Sequence, residues 1–235
     1  MLTLAMDTAA GTVGLALLDG EVILAELCLN LGRHHAEVLL PALDRLCSLA
    51  GTGIERVDLI CCTTGPGSFT GVRMGASTVK GLALATGKPV VGVSTLEALA
   101  MNALPSSALI CPMLDARKNQ VYAALYREGK KGLPEPVRPE VLTDIQPFLE
   151  GLGEDVVFLG DGATRYETLI GETLPGRFVR ASGIHQGIRA SAVGLIGLER
   201  YNKGDILNSF TFLPRYLRPS EAEVNKQLGK GPCRA

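Results

Sequence analysis

The sequence predicts an α/β protein built in two halves, and three observations carry that prediction. The opening residues set out three short strands in a meander. Strands then alternate with helices in the order β-β-β-α-β-α-β-α. After a seam at Pro105-Ser106-Ser107 the chain begins again with strands. Alternation of this kind implies mixed sheets covered by helices.

Leu2 to Asp7 reads as the first strand. In the second, Val13, Leu15 and Leu17 alternate with Gly14, Ala16 and Leu18, and Asp19-Gly20 supplies a two-residue turn into a third strand, Glu21 to Leu29. From His35 to Ala50, Val38, Leu39, Ala42, Leu43, Leu46, Leu49 and Ala50 form the wide apolar face of a helix. Pro41 lies inside it, so the helix either starts late or bends there. Gly51 and Gly53 end it. Val57 to Thr64 is a buried strand, Gly65 to Gly71 a turn, and a helix then continues to about Thr86. Gly87-Lys88-Pro89 breaks the chain before a strand at Val90 to Val93. Ser94-Thr95-Leu96-Glu97 is a capping-box pattern opening a helix to about Asn102.

The second half has strands at Ala108 to Leu114 and Gln120 to Tyr126. The polar, proline-rich stretch from Arg127 to Pro139 is expected to be an exposed loop. A short helix near Thr143 to Leu149, a strand at Val156 to Leu159, a helix near Thr164 to Ile170, a strand near Phe178 and a helix from Ala190 to Tyr201 follow. A polar tail comes after Tyr216-Leu217-Arg218-Pro219. The expected division is 1–104 and 105–235, with the last helix or tail free to pack back on the first part. The sequence shows no internal repeat.

Composition narrows the function classes. Apolar residues make up 46% of 235 and charged residues 20%, which excludes a disordered chain. Lys and Arg number 23 against 24 Asp and Glu, so no overall basic balance advertises nucleic acid. Aromatics are 5% and Trp is absent, an unpromising supply of base-stacking platforms. The 28 glycines, against an average usage of about 7%, predict many tight turns or close backbone approaches. Six cysteines without a C-x-x-C read as reduced thiols of a cytoplasmic protein. The start lacks basic residues and meets Asp7 at once, so no signal peptide is expected. The longest uncharged stretch, Ala98 to Leu114, is broken by polar residues and prolines and falls short of a membrane span.

The strongest local signal is Gly65-Pro66-Gly67-Ser68-Phe69-Thr70-Gly71, between a buried strand and a helix. Its free amides could hold an anion at the helix start. It is no P-loop, because no G-K-[ST] follows. The plainer reading is a tight strand-to-helix turn capped by Ser68 or Thr70. Beyond it, small residues at Gly71, Gly75, Ala76, Gly81 and Ala85 let another element approach, the His35 to Ala50 helix being the natural neighbour. Asp7-Thr8-Ala9-Ala10-Gly11-Thr12 could hold Mg²⁺ and phosphate, or Asp7 could simply bond its own turn. His34 and His35 are adjacent, not spaced i, i+4, so a metal role is not expected. Asp115-Ala116-Arg117 ends a strand and suits an ion pair. No nucleophile, acid–base or metal constellation stands out.

At Asp7-Thr8, Gly65-Pro-Gly-Ser-Phe-Thr-Gly-Val-Arg-Met-Gly75, Asp115-Ala-Arg117 and Tyr216-Leu-Arg218, in that order, the chain resembles the bacterial TsaB (YeaZ) family of threonylcarbamoyladenosine biosynthesis in tRNA. The resemblance implies the actin/sugar-kinase/Hsp70-like fold with two ribonuclease-H-like halves. It also implies a non-catalytic sibling of the metal-dependent TsaD proteins, since TsaD carries a His-x-x-x-His helix and this chain does not. The implied partners are a TsaD-like catalytic paralogue and a TsaE-like ATPase, with a homodimer through a similar surface, tRNA reached through the complex only, and no membrane. The pairing helices would be residues 35–50 and 70–86, with His35, Val38, Leu39, Ala42, Leu43, Arg73, Met74 and Ser77 as candidate contacts. The family motif residues are Asp7, Thr8, Gly65, Pro66, Gly67, Ser68, Thr70 and Gly71. No catalytic residue, metal or cofactor is expected. The alternative is an ATP-dependent phosphotransferase of the same fold, with Asp7 holding Mg²⁺ and the Asp115 loop holding phosphate, although that loop lacks glycines. Arg33, Arg73 and Arg117 look scattered and are expected to be solvated surface.

Overall fold

The computed structural model describes residues 1–30 and 35–218, with backbone only at 35 and 36. His34, Arg33 and the polar tail beyond 218 lie outside the described residues. Among those described, ten strands form two five-stranded sheets. The first is ordered β3-β2-β1-β4-β5, from β1 (Leu2–Asp7), β2 (Val13–Asp19), β3 (Val22–Leu29), β4 (Leu59–Thr63) and β5 (Val90–Val93). The second is ordered β10-β9-β6-β7-β8, from β6 (Leu109–Asp115), β7 (Gln120–Glu128), β8 (Pro134–Asp144), β9 (Val156–Leu159) and β10 (Phe178–Arg180). In each sheet the central first strand pairs antiparallel with the second and parallel with the fourth. The two sheets therefore match strand for strand.

Alternation along the strands explains the layers. On one face of the first sheet, Leu4, Met6, Leu15 and Ile60 pack under α1 (His35–Leu49) and α2 (Phe69–Thr86). On the other, Ala5, Ala16 and Cys61 meet α7 (Ala190–Asn202). The same middle core takes Ile110, Leu114 and Ala124 from the second sheet, and α3 (Thr95–Ala100) lies against that sheet. The outer face of the second sheet, with Phe158 and Met113, is covered from α4 (Ile145–Glu150), α5 (Asp161–Arg165) and α6 (Glu167–Thr173). The result is an α/β/α/β/α stack in which α3 and α7 fill the space between the sheets.

The structure corrects three expectations. Residues 134–139 are not a loop but the start of the eleven-residue strand β8. Proline survives there because β8 is an edge strand, where fewer backbone N–H groups have a ladder partner, and Pro139 sits at a break in the β7 register. The helix expected near Thr164 to Ile170 is two short helices, α5 and α6. Of the two alternatives for Pro41 the late start is excluded: α1 runs through from His35 with Pro41 on its exposed side. No described helix is long and apolar enough to cross a membrane.

Candidate functional site

The Gly65–Gly71 segment exists to meet the β1–β2 turn. Ser68 N donates to Ala9 O at 2.7 Å, and Thr8 Oγ1 donates to Gly71 O at 2.7 Å. A Cβ on Gly67 would collide with Ala9 O, and one on Gly71 with Thr8 O; at Gly75 it would lie 2.5 Å from Thr8 Oγ1. The small residues at the start of α2 therefore serve backbone approach to this turn, not approach to α1 as expected. Ser68 is the N-cap, its Oγ accepting from Gly71 N at 3.3 Å. Two of the amides that an anion would need, those of Ser68 and Gly71, are thus already committed.

Asp7 ends β1 and is fully buried. Its Oδ1 accepts from Thr63 Oγ1 at 2.6 Å and Ala9 N at 3.1 Å, while Oδ2 has no hydrogen-bond partner among the described residues. Burial pushes its pKa up to about 6, against the opposing pull of those hydrogen bonds. The turn-bonding role expected for Asp7 is present in this geometry. No cluster of three or more His, Cys, Asp or Glu able to hold a metal occurs among the described residues.

Between the sheets lies a cleft of about 670 Å³, walled by Ala9–Gly11 and Gly67–Gly71 on one side and Leu114–Arg117 on the other. Asp115 ends β6 as Asp7 ends β1. Its Oδ1 accepts from Arg117 N at 2.9 Å, and its Oδ2 sits 3.3 Å from Arg117 Nη1 and 3.5 Å from Arg165 Nη1. Arg117, Lys118 and Asn119 all hold positive φ, 64°, 54° and 59°, an uncommon run of left-handed residues. Arg218 secures this turn, its Nη1 donating to Ala116 O at 2.7 Å and its Nη2 to Gln120 Oε1.

Sequence reading gave Tyr216 and Arg218 no chemistry of their own; the structure does. Residues 207–218 run as a strap from β5 to the cleft: Leu207 bridges Val90, Phe212 is buried under α2, and Arg215 N donates to Thr64 O at 2.8 Å. Tyr216 then stacks on Phe69, with ring centroids 4.3 Å apart. Arg73 lies 4.3 Å above the Phe69 ring, and its Nε donates to Tyr216 Oη at 3.1 Å. Arg117 thus lines the cleft, and Arg73 stands behind the cleft-lining ring of Phe69. No local pattern announces contacts that span so much of the chain.

The candidate contacts on α1 and α2 divide by burial. Leu39 and Ala42 are buried in the core beneath α1, and Leu43, also buried, lines a groove on the flank of that helix. Val38 and Met74 are half-buried, Arg73 and Ser77 are exposed, and the side chain of His35 lies outside the description. The apolar residues that do face outward are Leu40, Leu49 and Leu84, at 57%, 62% and 70% exposure. A groove of about 400 Å³ opens beside Leu40, where Leu40, Leu43 and Cys47 of α1 face Leu82 of α2.

The TsaD family model, tRNA N6-adenosine threonylcarbamoyltransferase, matches residues 29–225. The tRNA threonylcarbamoyladenosine biosynthesis protein TsaB of Bacillus subtilis (strain 168) is 34% identical over 227 residues, 95% of this chain and 97% of its own. The chain belongs to the TsaB family. TsaB of Escherichia coli (strain K12) is 32% identical over 64% of this chain and 68% of its own. Among solved structures, YeaZ from Pseudomonas aeruginosa superposes with a TM-score of 0.78 at 29% identity, over 92% of this chain and 99% of that one. Component A of the (R)-2-hydroxyglutaryl-CoA dehydratase of Acidaminococcus fermentans superposes with a TM-score of 0.53 at 13% identity, over 86% of this chain and 99% of its own, a likeness of fold alone. The fold is the actin/sugar-kinase/Hsp70-like one, and the TsaB family takes part in making threonylcarbamoyladenosine in tRNA.

Proposed function

We propose that this chain is a non-catalytic, activating subunit for threonylcarbamoyladenosine synthesis in the cytoplasm. It pairs with a TsaD-like paralogue that makes the bond, and a TsaE-like ATPase joins the pair. The observation that carries the reading is the exposed apolar side chains of α1 and α2, Leu40, Leu49 and Leu84, each more than half exposed, with Leu40 on the wall of a groove between the two helices. Exposed large apolar side chains beside a groove mark an interaction site. Covering one such leucine contributes roughly 1.5–3 kcal/mol. Arg73 and Ser77 lie exposed on the same face of α2. A homodimer would use this surface in competition with the paralogue.

The test is co-purification with the TsaD-like protein. Leu40→Asp combined with Leu84→Asp should abolish the complex while leaving the melting temperature close to that of the parent, because both side chains are solvent-facing. A double variant that pairs normally would show that the surface is elsewhere.

The cleft, at about 670 Å³, is wide enough for a small molecule and favours a second reading, the ATP-dependent phosphotransferase. Calorimetric titration with ATP·Mg²⁺ separates the two: tight binding by the isolated chain favours the phosphotransferase.

A further inference from the structure

Building on the t6A reading, we propose that the cleft mouth is a direct RNA-contacting surface that takes the phosphate backbone of tRNA, so that this subunit helps hold the substrate itself. The whole chain carries a formal charge of -1, yet cations collect along this rim. Arg117 and Arg165, with side chains 78% and 51% exposed, share one carboxylate, Asp115, whose own side chain is only 7% exposed. Asp161 also faces Arg117, so the two guanidiniums meet two carboxylates, but Asp115 is sunk while both guanidiniums reach solvent. Lys118 is exposed on the adjacent left-handed turn. Arg218 spends its hydrogen bonds on the Ala116 carbonyl and the Gln120 amide oxygen, neither of them charged. Arg215 faces Glu140, and Arg73 pairs with a phenol. Asp144 and Asp161 are the exposed carboxylates near the rim. Asp144 pairs with Gln120 across β7 and β8, and Asp161 accepts from Asp115 N. Arg117 and Arg218 thus line the cleft itself, with Arg165 held beside Arg117 by Asp115 and Lys118 next in the turn, against the cleft carboxylates Asp115 and Asp161.

These cations come from α2, the β6–β7 turn, α5 and the strap, so the fold itself assembles the rim. At one end the Phe69–Tyr216 stack offers an aromatic edge, with Tyr216 40% exposed. Guanidinium groups beside an exposed aromatic ring suit phosphates flanked by an unpaired base. An acidic polypeptide would use the charges but has no use for the ring. RNA is therefore the favoured partner.

Binding of an unmodified tRNA transcript, followed against salt for the full chain and for its complex with the TsaD-like protein, tests this. Affinity should fall steeply with salt, and for Arg117→Gln combined with Arg165→Gln the slope of log K against log salt should shrink by about 2. Arg127→Gln, at the far end of β7 and paired with Glu154, should leave the slope unchanged. The proposal is overturned if neither preparation binds tRNA, if the double variant keeps the parent slope, or if polyglutamate competes as well as RNA. Co-purification of the double variant with the TsaD-like protein is read separately. A double variant that still pairs and keeps the parent's salt slope refutes this inference alone, whereas failure of the parent chain to pair refutes the subunit reading.

Discussion

Asp7→Asn should change how stability depends on pH, and the size of the change follows from the burial of one carboxyl group. In the folded chain the Asp7 pKa is raised from 3.8 to about 6. An acid whose folded pKa lies above its unfolded pKa binds its proton more tightly when folded. Its contribution is complete below the unfolded value and is lost as pH rises toward the folded one. Between pH 3.8 and about 6 this group therefore removes about 3 kcal/mol, at 1.36 kcal/mol per unit. Asparagine keeps an oxygen for the Thr63 hydroxyl and Ala9 amide but never ionises. The assay is urea unfolding of parent and variant at pH 4.5 and pH 7.5. The variant should gain on the parent between the two by roughly 2 kcal/mol, since part of the window lies below the lower pH. A difference that does not change with pH would refute the argument, because it would mean the carboxylate is as well solvated folded as unfolded.

Three further outcomes follow from packing. Gly71→Ala should destabilise by about 1–3 kcal/mol, because the new methyl meets the Thr8 carbonyl, which is backbone and cannot swing away. Gly81→Ala on the same helix meets nothing within 4 Å and should instead stabilise by about 1 kcal/mol; thermal denaturation of the two variants should move the midpoint in opposite directions. Phe212→Ala removes a fully buried ring that anchors the strap and should cost about 3–5 kcal/mol by chemical denaturation.

Strand and helix periodicity made most of the fold legible, since Leu4 and Met6 against Ala5, or Leu39, Ala42 and Leu43 on one helical stripe, leave regular traces. The same stripe served both as core and as candidate contact surface. Leu39, Ala42 and Leu43 are buried against the first sheet, while Leu40 and Leu49, on opposite flanks of the same helix, are exposed. Strand β8 was hidden because Pro134, Pro136 and Pro139 are signals against a strand unless its edge position is known, and that position is a tertiary fact. The glycines of Gly65–Gly75 announced a close approach, but what approaches, the Thr8-Ala9 backbone, is far away in sequence. The strap contacts of Phe212, Tyr216 and Arg218, and the gathering of Arg117 with Arg165 on Asp115, belong to the same class. They depend on how the two sheets face each other, which no local pattern encodes.

The placement of α3 and α7 bears on how the molecule is made. The short helix that precedes the seam lies on the later sheet, and the long helix near the end of the chain lies on the earlier one. Each sheet thus borrows a cover from the other half of the polypeptide. A fragment cut at the seam would bare an apolar face, and the first sheet, although translated early, waits for residues 190–202 before its inner surface is closed.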